Sequence, residues 1–200
     1  MYKLRIISAV FWIGIFYVNS STAQITGKVN TDLNKTKYKE NSVVYIDYVE
    51  AIFPPPLRNP VINQIGLRFI PHVLPIVVGT TVEFLNSDDV LHNVFSPNSC
   101  SDKFNLGTWP KYESNTHKYE KVGCESVLLC YVHPDMEAYV IVLQNPYYSV
   151  TDKEGNFIIE NIPPGDYSLK VWNEKLMAKE KQISVPKSGT IQVDFELIKK

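Results

Sequence analysis

The chain is poor in helical periodicity, in cysteine, in basic excess and in long apolar runs, and each shortage excludes something. Its longest apolar run covers residues 6–18, about 13 residues where a membrane-spanning helix needs roughly 20. Twenty Lys and Arg stand against 21 Asp and Glu, so there is no basic footprint for a phosphate backbone, and nucleic-acid binding is not expected. Three cysteines, at positions 100, 124 and 130, are an odd count, which leaves at least one outside an intramolecular disulfide. Hydrophobic residues at 44%, aromatics at 12% and charged residues at 20% are globular composition, which excludes disorder.

The N-terminus reads as an address. Met1 to Arg5 is a basic start, residues 6–18 are apolar, and Ser21-Thr22-Ala23 supplies small residues ahead of Gln24, the pattern of a cleaved secretion leader over residues 1–23. Removing it takes away Lys3 and Arg5 and leaves 18 bases against 21 acids. The mature chain is expected in the periplasm or outside the cell, where a disulfide persists, with no membrane span once the leader is gone.

What is present is β-strand. Residues 25–29, 43–49, 65–70, 76–84, 126–132, 139–143, 147–150, 157–160, 167–172, 181–185 and 190–196 are rich in β-branched and aromatic residues, several alternating apolar with polar. Turn residues separate them: Asn30-Thr31-Asp32, Pro54-Pro55-Pro56, Gly79, Asn86-Ser87-Asp88, Asp152 to Gly155, Pro163-Pro164-Gly165 and Pro186 to Gly189. Short strands at this spacing predict an all-β fold of sandwich or barrel type. Residues 173–181 are predicted to be a turn.

The chemistry concentrates in Cys130-Tyr131-Val132-His133-Pro134-Asp135-Met136. A thiol, an imidazole and a thioether lie within seven residues where a strand gives way to a Pro-marked turn. With a second imidazole from His92, downstream of the strand Thr81 to Asn86 and its turn, these are the ligand types of a blue-copper centre: two His, one Cys and a weak axial Met. Taken singly, each has a plainer reading as a buried Cys, a turn His and a core Met. His72 and His117 lack matching context; His72 is assigned to packing or surface and His117 to a solvated loop.

These residues resemble the cupredoxins, the small blue-copper proteins. The likeness runs from Phe69-Ile70-Pro71 through Val77 to Asp88 and His92-Asn93-Val94 to Cys130-x2-His133-x2-Met136, and the two-residue gap between His133 and Met136 is similar to the short loop of the amicyanin type. The resemblance implies an eight-strand Greek-key sandwich over about residues 56–144, holding one copper ion on His92, Cys130, His133 and Met136, with Asn86 and Asn93 supporting the loops. If Cys130 stays a thiolate, Cys100 and Cys124 are left to pair and close a 25-residue loop; a bridge from either to Cys130 is the competing arrangement.

The C-terminal part resembles a carboxypeptidase-regulatory or transthyretin-like (prealbumin-like) β-sandwich, on Thr151-Asp152-x2-Gly155-x-Phe157 and Pro163-Pro164-Gly165-x-Tyr167. That family's opening strands are similar to Ile25-Thr26-Gly27-Lys28-Val29 and Val43 to Ile46, which lie at the other end of the chain. The expectation is that residues 24–55 and 145–200 build this second sandwich with the copper unit inserted; the rival gives residues 43–49 to the copper unit. The order of units is also similar to bacterial secreted proteins of the methylamine-utilisation type. The implied function is single-electron transfer with a transient redox partner protein and no enzymatic activity. A copper carrier or storage protein, or a surface binding and assembly module, are the alternatives.

Overall fold

The computed structural model describes residues 22–32, 38–97 and 103–200. Among them there is no α-helix, and the strands form four sheets. The first contains β1 (Ala23–Thr31), β13 (Asn156–Ile162), β15 (Leu176–Met177), β17 (Gly189–Gln192) and β18 (Phe195–Lys199). The second runs in the order β12 (Tyr148–Val150), β2 (Val43–Ile46), β14 (Gly165–Trp172), β16 (Lys181–Val185). The third is ordered β5 (Val73–Val77), β11 (Glu137–Leu143), β10 (Glu125–Leu129), β7 (His92–Ser96), β8 (Phe104–Trp109), and the fourth β4 (Phe69–Ile70), β3 (Val61–Gln64), β6 (Thr81–Asn86), β9 (Ser114–Lys118). This all-β sandwich architecture agrees with the expected fold class. The third and fourth sheets hold nine strands, where the resemblance implied eight.

Pairing follows neither half of the sequence. Strands β1 and β2 pair with strands from residues 148–199, and the strands from Val61 to Leu143 pair among themselves. One apolar core lies between the first and second sheets, with Ile25, Val44, Ile46, Ile159, Leu169 and Phe195 in it. A second lies between the third and fourth, around Ile62, Phe84, Val94, Leu128 and Val140. A third cluster joins the second sheet to the third through Val43, Tyr45, Tyr139, Ile141 and Trp172. The layers therefore stack in the order first, second, third, fourth. That stacking explains why Val43 to Ile46 and Ala138 to Leu143 are unbroken apolar runs: both faces of β2 and β11 meet a core. Outer strands keep the alternation of one wet face, as in β1, which buries Ala23, Ile25, Gly27 and Val29.

Several expected strands are cut by local chemistry. Of residues 65–70 only Phe69–Ile70 are strand, and residues 65–68 form a hairpin turn, because Gly66 and Leu67 take left-handed backbone (φ 62° and 57°) between β3 and β4. Residues 76–84 break at Gly79 (φ 85°), and Thr80 Oγ1 donates to Val77 O at 2.6 Å to close the turn. Residues 190–196 break at Val193-Asp194, where the chain crosses β1 so closely that a Cβ on Gly27 would lie 1.8 Å from Val193 O. Residues 173–181, expected as a turn, contain the short strand β15, whose Leu176 is buried and pairs with Lys199 of β18. Strands β3, β7, β8 and β9 are additions to the expected set. Their sequences are broken by His, Asn, Ser and Lys, and β8 and β9 lie at sheet edges, where one row of side chains meets water.

The Asp152 turn carries a pH dependence. Its carboxylate accepts from Asn156 Nδ2 (2.9 Å), Asn156 N (2.8 Å) and Glu154 N (3.0 Å), and the Asn156 side chain first, then these backbone groups, hold the carboxyl below its ordinary value. A carboxyl lowered by folding contributes stability above its unfolded value and loses that contribution as pH falls through its folded value. Asp152→Asn is expected to flatten the acid limb of an unfolding-midpoint profile; a profile parallel to the wild type would contradict this.

Candidate metal centre

Three loops converge at one end of the third and fourth sheets. Cys130 follows the last residue of β10, so its side chain still points into the core (3% exposed) while the chain turns away through Tyr131 to Asp135. Met136 N donates to His133 O at 3.0 Å, closing that turn before β11 begins. Met136 is buried in the same cluster as Cys130. His92 opens β7 and is fully buried. The ligand atoms of His92, Cys130 and His133 all lie within 4.8 Å of one another, and His92 Nδ1 and His133 Nδ1 are 3.1 Å apart.

The hydrogen bonds around these residues show what such a cluster suits. Asp88 Oδ2 meets His92 Nε2 at 2.9 Å, and the same carboxylate accepts from Gly66 N (2.7 Å) and Leu67 N (3.0 Å). Partial burial works to raise the Asp88 carboxyl, but Leu67, Gly66 and His92 outweigh it and hold it below its usual value. An ionised carboxylate accepts only, so the His92 proton sits on Nε2 and Nδ1 presents a lone pair toward His133 and the thiol. Two imidazole nitrogens and a buried thiol aimed at one point, with the far side of one ring anchored by a carboxylate, form a soft, preoriented donor set. It fits a copper ion, with His92 and Cys130 buried and His133 half-buried. Asp88→Asn is expected to weaken metal affinity about 10- to 100-fold, measured by competitive titration; unchanged affinity would remove Asp88 from the site's support.

Asn93 and Asn86 each tie loops together. Asn93 N donates to Cys130 Sγ at 3.4 Å, its Nδ2 donates to Asn105 Oδ1 and Gly107 O (both 2.8 Å), and its Oδ1 accepts from Tyr131 N. Asn86 Nδ2 donates to Val90 O and Trp109 O, and its Oδ1 accepts from Asp88 N, shaping the loop that carries Asp88. Cys130 is a free thiol. Cys124 is buried in the same core; Cys100, its expected partner, lies outside the described residues, as do residues 1–21 of the expected leader.

Asp88 is the site residue that sequence reasoning passed over. It was part of the Asn86-Ser87-Asp88 turn, and its spacing of four from His92 was the available clue. Of the other two histidines, His117 differs from expectation and His72, packed edge-on to Tyr139 and partly exposed, agrees with it. His117 stands on β9 with its ring stacked on Phe104 (centroids 3.9 Å apart) instead of in a solvated loop. His72 joins the two sandwiches: its Nε2 meets Glu174 Oε2 at 3.0 Å.

The family described as "Polysaccharide lyase family 4, domain II" matches residues 134–193, a stretch that begins in the His133–Met136 turn and runs through β17. It is a different family from the transthyretin-like one suggested by the turn motifs. Among curated proteins, none matches the chain. Among solved structures, a copper-containing nitrite reductase from Thermus scotoductus is similar at 29% identity and a TM-score of 0.42, over 50% of this chain and 25% of that one. A purple cupredoxin from Nitrosopumilus maritimus is similar at 26% identity and a TM-score of 0.37, over 42% of this chain and 99% of the other. A reduced amicyanin variant gives 20% identity and a TM-score of 0.40, over 44% and 91% respectively. This chain thus spans about a quarter of the nitrite reductase.

Proposed function

We propose that this chain is an exported electron carrier that holds one type 1 copper ion on His92, Cys130, His133 and Met136. The observation that carries the reading is the buried convergence of two imidazole Nδ1 atoms and a free thiol within 4.8 Å. When bound, copper in such a set supplies one-electron redox chemistry. Three strong donors and a thioether leave no position for a substrate, which separates a carrier from a copper enzyme. His92 and Cys130 are buried and pinned by Asp88 and Asn93, so the ligands change little between oxidation states. His133 is half-buried, beside exposed Tyr131 and Val132. This edge suits transient docking of a redox partner protein through a small apolar contact.

The domain reading belongs to the same proposal. Residues 56–144 form the copper unit, and residues 24–55 with 145–200 form the second sandwich, read as carboxypeptidase-regulatory in type; the pairing of β1 and β2 supports this. A Cys100–Cys124 disulfide and a leader ending at Ala23 complete it. Ala23 is buried at the start of β1 and paired with Ile162 and Gly189, so a mature chain starting at Gln24 would begin one residue inside that strand.

Titration with Cu(II), followed by visible absorption and paramagnetic resonance, tests the function. An intense blue band at one equivalent supports it, and a colourless protein overturns it. A carrier of metal instead of electrons would use the same ligands. Slow copper release with fast electron self-exchange is expected here, and the reverse order would favour the carrier.

A further inference from the structure

The second sandwich touches the candidate metal centre through one short polar path. Glu174 lies just beyond β14, and its carboxylate meets His72 Nε2 at 3.0 Å. The other nitrogen of that ring, Nδ1, lies 3.1 Å from Glu137 O, and Glu137 is the residue after Met136. The His72 backbone grips the same place, its carbonyl accepting from Tyr139 N at 2.9 Å. Carbonyl and carboxylate oxygens only accept, so a ring nitrogen that carries hydrogen is the donor in its contact, and an ionised Glu174 makes its contact a charge-assisted one. Burial works to raise that carboxyl, but hydrogen bonds from Lys175 and His72 outweigh it and hold it below the ordinary Glu value. The bridge lines a cleft of about 740 Å³ between the sandwiches, and Met136 lines it too.

We propose that Glu174 and His72 are positioning residues for Met136: the second sandwich sets the placement of the Met136 thioether by anchoring the backbone that follows it. The inference rests on the copper reading above and extends it to a role for the second sandwich. Met136 is held from one side by its own turn, Met136 N to His133 O, and from the other by β11, whose first residue His72 grips. Loosening the second anchor lets the thioether shift relative to the thiol and imidazoles without removing any ligand. A weak thioether ligand would tune the potential of such a centre, so the effect would show in the copper signature instead of in copper binding.

A second inter-sandwich contact supplies the control. Trp172 Nε1 donates to Glu125 Oε2 at 2.9 Å, at the opposite end of β10 from Cys130. Removing this hydrogen bond weakens the same interface, and Phe at 172 keeps a ring against Tyr139, on which Trp172 packs with centroids 5.2 Å apart.

The experiment compares copper-loaded wild type with Glu174→Gln, His72→Asn and Trp172→Phe. Paramagnetic resonance, reduction potential and thermal unfolding are recorded for each. Glu174→Gln and His72→Asn are expected to change the rhombicity of the spectrum and to move the ratio of oxidised to reduced protein at a fixed ambient potential by about threefold, the scale of one hydrogen bond partly transmitted. Trp172→Phe is expected to lower the unfolding temperature and leave both readouts unchanged. His72→Asn keeps a donor for Glu137 O but does not reach Glu174, so it covers the case in which Glu174→Gln misfolds. A blue wild type whose two bridge variants match it overturns this inference alone, as does an equal shift in Trp172→Phe. A wild type that takes up Cu(II) without an intense band removes the copper reading and this inference together.

Discussion

Replacing Cys130 by Ser is expected to abolish the intense visible band of the copper-loaded protein and to lower copper affinity by more than about 100-fold, beyond the loss usual for an outer partner. The band of a blue site comes from charge transfer out of a thiolate, and a serine hydroxyl stays protonated near neutral pH and is a poor ligand for copper. Fold and stability should change little. Ser is close to Cys in volume, the site is 3% exposed, and the hydroxyl can still accept the hydrogen bond that Asn93 N gives the sulfur at 3.4 Å. Absorption, paramagnetic resonance and a thermal melt on the same sample separate these outcomes. A blue Cys130→Ser protein would rule the thiolate out as a ligand, and a collapsed melt would mean that Cys130 acts mainly through packing. An unreduced peptide map showing Cys130 bonded to Cys100 or Cys124 would sink the assignment independently.

Residues 145–200 expressed alone are expected to remain unfolded. In the intact chain, β13 pairs with β1, and β12 and β14 both pair with β2, so the fragment loses the strand at the centre of each sheet. Ile25, Val29, Val44 and Ile46 are all fully buried against Ile159, Leu169 and Phe195. Four large apolar side chains contribute about 1.5–3 kcal/mol each when buried, a total comparable to the whole stability of a small domain, about 5–15 kcal/mol. A fragment running from residue 56 to 144 keeps every strand partner of the third and fourth sheets. It exposes the outer face of β11, Tyr139, Ile141 and Leu143, that the second sheet covers, so it should fold with lower stability and a tendency to associate. Circular dichroism and urea melts of the two fragments decide the matter. A cooperative transition in 145–200 would show that its sandwich does not depend on β1 and β2.

Legibility in the sequence tracked how local each feature was. The ligand loop was readable because Cys130, His133 and Met136 fall within seven residues, and a strand end followed by a tight turn brings such neighbours together under almost any sheet arrangement. The strands that were legible are those with an alternating or wholly apolar pattern, such as β1, β2 and β11. Strands β3, β7, β8 and β9 were missed because partners more than propensity make them strands: β9 is Ser-Asn-Thr-His-Lys and is held by its register against Thr81 to Leu85. The break at Val193 is likewise invisible locally, since it exists because the chain crosses Gly27.

The sequence by itself determined the all-β class, the donor types and the loop that carries three of the four proposed ligands. It did so because alternation and short spacing are local consequences of side-chain chemistry. Tertiary structure decided which end of the chain completes which sheet, that Asp88 orients His92, and that Glu174 reaches the residue after Met136 through His72. Those relations link positions up to 166 residues apart, and only the stacking of four sheets brings them within hydrogen-bonding distance.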